Sequence, residues 1–254
     1  MHNSNILIIK FGSNCFINGS IDDKSIRHVA EQALLLSGMG LKIVLVTSGD
    51  RAAARRHFGH ENASFMSPQE LARAGKKILD KKWHKILGNK IEKFIFTDEH
   101  LLNLDAGNEF VSDVIDAFNR NSIVRVNQCP DQEADGPSGD NDHFTGWLAD
   151  HLRPELTAFF TGEVHGIQEN PDDPSTVLKE ISRINFNYAK ALIKDDHVSS
   201  DGTGGASKLE VAANLAFDGI SRRVLIGNGR QPGAVLGAYS GAKSVGTWIV
   251  NDFS

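Results

Sequence analysis

Short, mostly apolar runs recur along this chain, and each stops at a polar or glycine cluster. Ile6-Leu7-Ile8-Ile9 ends at Lys10-Phe11-Gly12-Ser13. Ile43-Val44-Leu45-Val46 ends at Thr47-Ser48-Gly49, Ile123-Val124-Arg125-Val126 at Asn127, and Leu156–Phe160 at Thr161-Gly162. The first two, four apolar residues without alternation, have the pattern of a strand covered on both faces, and the other two, each with one polar residue, read as strands as well. Ile91–Phe96, Arg223–Ile226 and Gly246–Val250 read as further strands. Helical segments lie between them. Ile26–Leu36 carries apolar residues at helical spacing and stops at Gly38 and Gly40. Ser67-Pro68-Gln69-Glu70 supplies an N-cap serine, a proline in the first turn and a glutamate in the capping-box position, which predicts a helix to about Leu87. Phe110–Phe118, Asn141–His151 and a segment opening at Gly202–Gly205 and running through Phe217 also read as helices. Residues 128–139 read as a loop or a loose hairpin, and the Pro/Asp/Asn-rich stretch after Gly162 as irregular through Pro174. Strands alternating with helices predict an α/β fold, a mostly parallel central sheet between two helical layers. Ligands of such sheets bind at the carboxyl ends of the strands, where these clusters fall.

The chain has 254 residues, 40% hydrophobic and 23% charged, enough for one large core. A net charge of -5 argues against binding a nucleic-acid backbone. Cys15 and Cys129 are far apart and lack metal-ligand spacing, so they read as ordinary thiols, with no disulfide framework and no zinc site. The N-terminus lacks a basic leader, and Ile6–Ile9 is too short to anchor in a bilayer, so a cytoplasmic protein with no membrane partner is expected. Trp83, Trp147 and Trp248 read as packing residues, and the histidines have no ligand-like spacing.

Four clusters could carry chemistry. Lys10 at the end of a buried strand is costly unless it meets an anion, and Gly12 lets backbone approach that anion. Thr47-Ser48-Gly49, with Arg51 beyond, offers hydroxyl and N–H donors where a strand enters a helix; it serves as a plain N-cap or as a site for a carboxylate or phosphate. Gly139-Asp140-Asn141-Asp142 is either a solvated helix start or a place where Asp140 or Asp142 orients a lysine, contacts substrate or assists a metal. Gly202-Thr203-Gly204-Gly205-Ala206-Ser207-Lys208 is a glycine-rich turn into a helix, a phosphate cradle in principle. It is not a Walker A loop, because Leu209 follows the lysine.

In order and spacing, these clusters resemble the amino-acid kinase superfamily, and within it the glutamate 5-kinase family. The resemblance is carried by IIKFGSNCF, IVLVTSGDRAAARRHFG, GDND, DGTGGASKLEVAANLAFDGI and GNGRQPGAV, and it covers Ile6 to Ile249. It implies a three-layer sandwich forming a single kinase domain over residues 1–254, without the C-terminal RNA-modification-type domain that this family often carries. It implies ATP, with Mg²⁺ riding on its phosphates, and transfer to the side-chain carboxylate of glutamate or a similar substrate, a step of proline biosynthesis. Lys10 and Lys208 would contact the phosphates and the group in flight, and Asp140 would hold the lysines. Gly12 and Gly49 would supply N–H donors. Gly12, Ser13, Thr161, Gly162, Thr203, Gly204, Gly205 and Lys208 would line the nucleotide site; Ser48, Gly49, Asn127, Asp131 and Asn141 would bind the acceptor. A homo-oligomer is implied by analogy.

The chain also departs from that pattern. Where the family reads Asn-Glu-Asn-Asp, this chain has Asn127-Gln128-Cys129-Pro130-Asp131, so the substrate-facing aspartate is lost to Pro130 or displaced to Asp131. Asp50 and Arg51 replace an alanine and a hydrophobic residue, and Ala74-Gly75-Lys76 stands for Ala-x-Gly-Gln. These changes suggest a divergent enzyme acting on a glutamate-like carboxylate other than free glutamate, although free glutamate is the single substrate that the resemblance favours most. Two other readings stay open: a carbamate, acetylglutamate or phosphonate kinase, and a non-catalytic nucleotide-binding protein on the same scaffold.

Overall fold

The computed structural model describes residues 3–129, 141–193 and 205–252. The apolar runs form the middle of one sheet. In chain order the elements are β1 (Asn3–Phe11), the small hairpin β2 (Ile17–Asn18) and β3 (Ser20–Ile21), α1 (Asp23–Gly38), β4 (Lys42–Thr47), α2 (Asp50–Ser64), α3 (Pro68–Leu87), β5 (Ile91–Phe96), α4 (Asp98–Leu102), α5 (Leu104–Asn119) and β6 (Ile123–Gln128). Then follow α6 (Asn141–Leu152), β7 (Pro154–Thr161), β8 (Glu180–Ile181), α7 (Phe186–Leu192), α8 (Gly205–Phe217), β9 (Arg223–Asn228), α9 (Ala234–Ser240) and β10 (Gly246–Ile249).

Eight strands pair in the order β5-β6-β4-β1-β7-β9-β10-β8. Every pairing is parallel except β9 with β10. β1 lies in the middle, aligning Lys10 with Val46 of β4 and Phe159 of β7. Successive side chains of its apolar run therefore feed two cores. Leu7, Ile9 and Phe11 pack toward α1, α3 and α9, with Ala30, Trp83 and Val235. Ile6 and Ile8 pack toward α5, α6 and α8, with Val114, Leu148 and Ala212. The result is the three-layer sandwich expected from the alternation of strands and helices.

Helix α3 begins as its sequence dictates: Ser67 Oγ accepts from the Glu70 N–H, and Glu70 accepts from the Ser67 N–H at 2.7 Å. Helix α5 starts earlier than the hydrophobic period suggests, because Asn103 caps it by accepting from the N–H groups of Asp105 and Ala106. Beyond the stretch expected to be irregular through Pro174, the two residues of β8 join the sheet by pairing with Trp248 and Ile249.

Candidate active site

Three side chains from three different elements meet at the carboxyl end of β1. Lys10, second to last in β1, is 6% exposed. Its Nζ lies 2.5 Å from Asp142 Oδ1, in the first turn of α6. The other oxygen of that carboxylate accepts from Nζ of Lys208, in the first turn of α8. Asp142 is 1% exposed. Burial alone would raise its pKa, but the two ammonium groups outweigh burial and hold the carboxyl well below the usual carboxylate range. Burial, then the nearby Lys10 charge, pushes Lys208 down to about 8 despite Asp142. A polyanion arriving here would favour the charged ammonium and lift that penalty. Lys208 also sits at the positive end of a helix, where anions are preferred.

The carboxylate that joins the lysines is thus Asp142, whereas the resemblance assigned that role to Asp140. Asp140 lies outside the described residues, as do Pro130, Asp131, Gly139, Gly202, Thr203 and Gly204. Helical arithmetic does single out Asp142: Thr145 and Ala149, three and seven residues on, share its buried face.

Beside the lysines, the turn after β1 is held close to the sheet. The Gly12 N–H, expected to face an anion, instead donates to the Phe160 carbonyl at 2.9 Å and extends the sheet ladder. The donors that the following 3-10 turn of Ser13–Cys15 can offer are those of its own start, which have no partner within the turn. Gly162 belongs to this packing, since a Cβ there would lie 2.6 Å from that of Asn14. Gly229 does too, since a Cβ would approach Cys15 Sγ to 2.7 Å. Thr161 Oγ1 donates at 2.8 Å to the Val164 carbonyl, so that hydroxyl shapes the loop at this end of the sheet. Cys15 donates its thiol to the Thr161 carbonyl at 2.8 Å, and burial pushes its pKa up to about 12, which leaves it a packing residue.

A pocket of about 100 Å³ opens next to this cluster, lined by Ser13, Ser48, Gly49, Asp50, Asn127 and Asn141 among others. Asn141 Nδ2 donates to Ser48 Oγ at 2.7 Å, joining two residues expected to bind the acceptor. Asn127 is buried, and its Oδ1 accepts from Thr47 Oγ1 at 2.8 Å. Gly49 has φ +104, a left-handed conformation that suits glycine, and its backbone lies against Ser13. Beneath the pocket, Arg125 is fully buried. Its Nε donates to Thr47 Oγ1 at 3.0 Å, its Nη1 binds Asp80 Oδ1, and its guanidinium lies 5.7 Å from the Trp83 ring. This Arg125–Asp80 floor escaped the sequence reading, because the two residues lie 45 positions apart, on β6 and α3, and meet only in the fold.

The arrangement brings two buried cations and a bonded Ser/Asn pair to one end of a parallel sheet, the setting for phosphoryl transfer between two bound molecules. Comparison with known proteins agrees. The profile of the Amino acid kinase family matches residues 5–228. Glutamate 5-kinase of Pectobacterium carotovorum subsp. carotovorum is 31% identical over 97% of this chain and 69% of its own length. Glutamate 5-kinase of Escherichia coli is 29% identical over the same shares. Among solved structures, carbamate kinase from Giardia lamblia bound to AMP-PNP superposes with TM-score 0.65 at 16% identity, covering 99% of this chain and 100% of that one. UMP kinase from Bacillus anthracis superposes with TM-score 0.60 at 16% identity, over 98% and 96%. The chain that puts Lys10, Lys208 and Asp142 together at the end of its sheet therefore belongs to the amino acid kinase family of phosphotransferases.

Proposed function

We propose that this protein transfers the γ-phosphoryl group of ATP to the side-chain carboxylate of glutamate or a glutamate-like amino acid, forming an acyl phosphate. The observation that carries the reading is the Asp142 carboxylate gripped by both Lys10 and Lys208 beside a pocket lined by hydroxyl and amide groups. The glutamate 5-kinases similar over nearly the whole chain support this acceptor class.

In this reading a carboxylate oxygen of the acceptor attacks the γ-phosphorus, and the bond from that phosphorus to the β,γ-bridging oxygen breaks. ADP leaves with the electron pair. The acceptor is already ionised at neutral pH, so no general base is needed. Lys10 and Lys208 offset charge on the transferring group, and Asp142 fixes their positions. The Ser13–Cys15 turn, Gly162 and the start of α8, with Gly205, would border the nucleotide. Ser48, Gly49, Asn127 and Asn141 would orient the acceptor. Mg²⁺ would enter on the nucleotide phosphates and neutralise part of their charge.

Glutamate-dependent release of ADP, measured for the wild type and for Lys10→Ala, tests this. Release that disappears in the variant supports the reading. ADP release that is equal with and without any carboxylate acceptor contradicts it.

A further inference from the structure

The acceptor pocket contains a carboxylate that the phosphoryl-handling residues leave unused. Asp50 opens α2 immediately after the left-handed Gly49 and lines the pocket with Ser48, Asn127 and Asn141. Its place is fixed by α3, which approaches so closely that a Cβ on Gly75 would stand 1.6 Å from the Asp50 carbonyl oxygen. Three charged groups face it from the neighbouring elements: Lys76 and Asp80 on α3, and Arg125 on β6. Both cations are engaged elsewhere. Arg125 Nη1 binds Asp80 Oδ1, and Lys76 Nζ lies 3.4 Å from Asp80 Oδ2.

Among the described residues the Asp50 carboxylate accepts only two long bonds, of 3.5 and 3.4 Å, both from Asn127 Nδ2. Burial pushes its pKa up to about 6, against the pull of Arg125 and Lys76. An acid that is costly to keep charged, and that is short of donors, would be satisfied by a cation entering the pocket. Arg51, the one cation among the described lining residues, stands next to it. An acid beside a base matches the two charges of an amino-acid head group.

We infer that Asp50 receives the ammonium group of the phosphoryl acceptor and so selects an amino acid over the corresponding plain dicarboxylic acid. This rests on the carboxylate-kinase reading above, which the experiment tests separately. Binding of glutamate and of glutarate, its counterpart without the amino group, is measured by calorimetry in the presence of a non-hydrolysable ATP analogue. Wild type, Asp50→Asn and Asp50→Ala are compared, and ADP release is followed in parallel with ATP. The wild type should prefer glutamate by about 10- to 100-fold, the worth of a hydrogen bond to a charged group. Both variants should lose that preference through weaker glutamate binding, while still binding the ATP analogue, which reports their folding. No preference in the wild type, or an unchanged preference in a variant that binds the analogue, overturns the inference. Selective binding without ADP release upholds it and sinks the carboxylate-kinase reading alone.

Discussion

Nζ of Lys10, on the central strand, lies 2.5 Å from Oδ1 of Asp142, on the first turn of a helix packed against that strand. Lys208 takes the other oxygen, so a single buried carboxylate sets the separation of two cations. The pair holds the fold together as well as shaping the site, and each role can be measured.

Replacing Asp142 by alanine should destabilise the ligand-free protein by about 3 kcal/mol, because it leaves two buried ammonium groups without their shared counter-ion. Turnover should fall by at least about 100-fold, since neither lysine keeps its place. Urea denaturation and steady-state kinetics check the two parts. A variant of unchanged stability would mean that the ion pairs are incidental.

Protonation of Lys208 gives two opposite pH trends. Its folded pKa of about 8 lies below the ordinary 10.5, so between these values the unfolded chain binds more protons. The ligand-free fold should therefore gain stability as pH rises through that interval. Nucleotide binding needs the charged form, so affinity should weaken above pH 8, approaching about tenfold per pH unit. Thermal unfolding and titration with a non-hydrolysable ATP analogue report the two trends. Lys208→Arg should flatten both, because a guanidinium stays charged.

The Asn141–Ser48 bond predicts a split between the two substrates. Ser48→Ala or Asn141→Ala should raise the acceptor KM about tenfold, the cost of about one hydrogen bond to a charged substrate, and leave the ATP KM nearly unchanged. Equal effects on both KM values would place these residues outside the acceptor pocket.

Gly75 should be intolerant of any side chain. A Cβ there would collide with the Asp50 carbonyl oxygen, so Gly75→Ala must push α3 away from the start of α2. A loss of about 2 kcal/mol or more is expected, together with a weaker acceptor KM. Thermal unfolding and kinetics together would show it.

Much of this architecture was legible in the sequence because its signals were local. The apolar runs around Ile8, Val44 and Val124 gave buried strands, and the Ser67/Glu70 box gave the start of α3 without reference to the rest of the chain. Two elements were missed for different reasons. β8 exists only because it pairs with the distant β10, whereas α4 is one short stretch whose start is closed locally by Thr97 and His100, where a capping box ordinarily carries a glutamate or glutamine. The site followed the same division. Lys10, Lys208, Ser48 and Asn141 stood out as polar residues at strand ends and helix starts. The choice between Asp140 and Asp142 depended on helix phase. The Arg125–Asp80 pair depended on two elements meeting, which no spacing in the chain reveals.

The central claim is that a carboxylate accepts the phosphoryl group under the control of Lys10 and Lys208. Incubation with glutamate, ATP and Mg²⁺ in the presence of hydroxylamine tests it most directly, because an acyl phosphate is trapped as a hydroxamate. The account predicts ATP-dependent hydroxamate from the wild type and none above background from Lys10→Ala. Glutamate-dependent ADP release with no hydroxamate would contradict it, since the phosphoryl group would then be going to something other than a carboxylate.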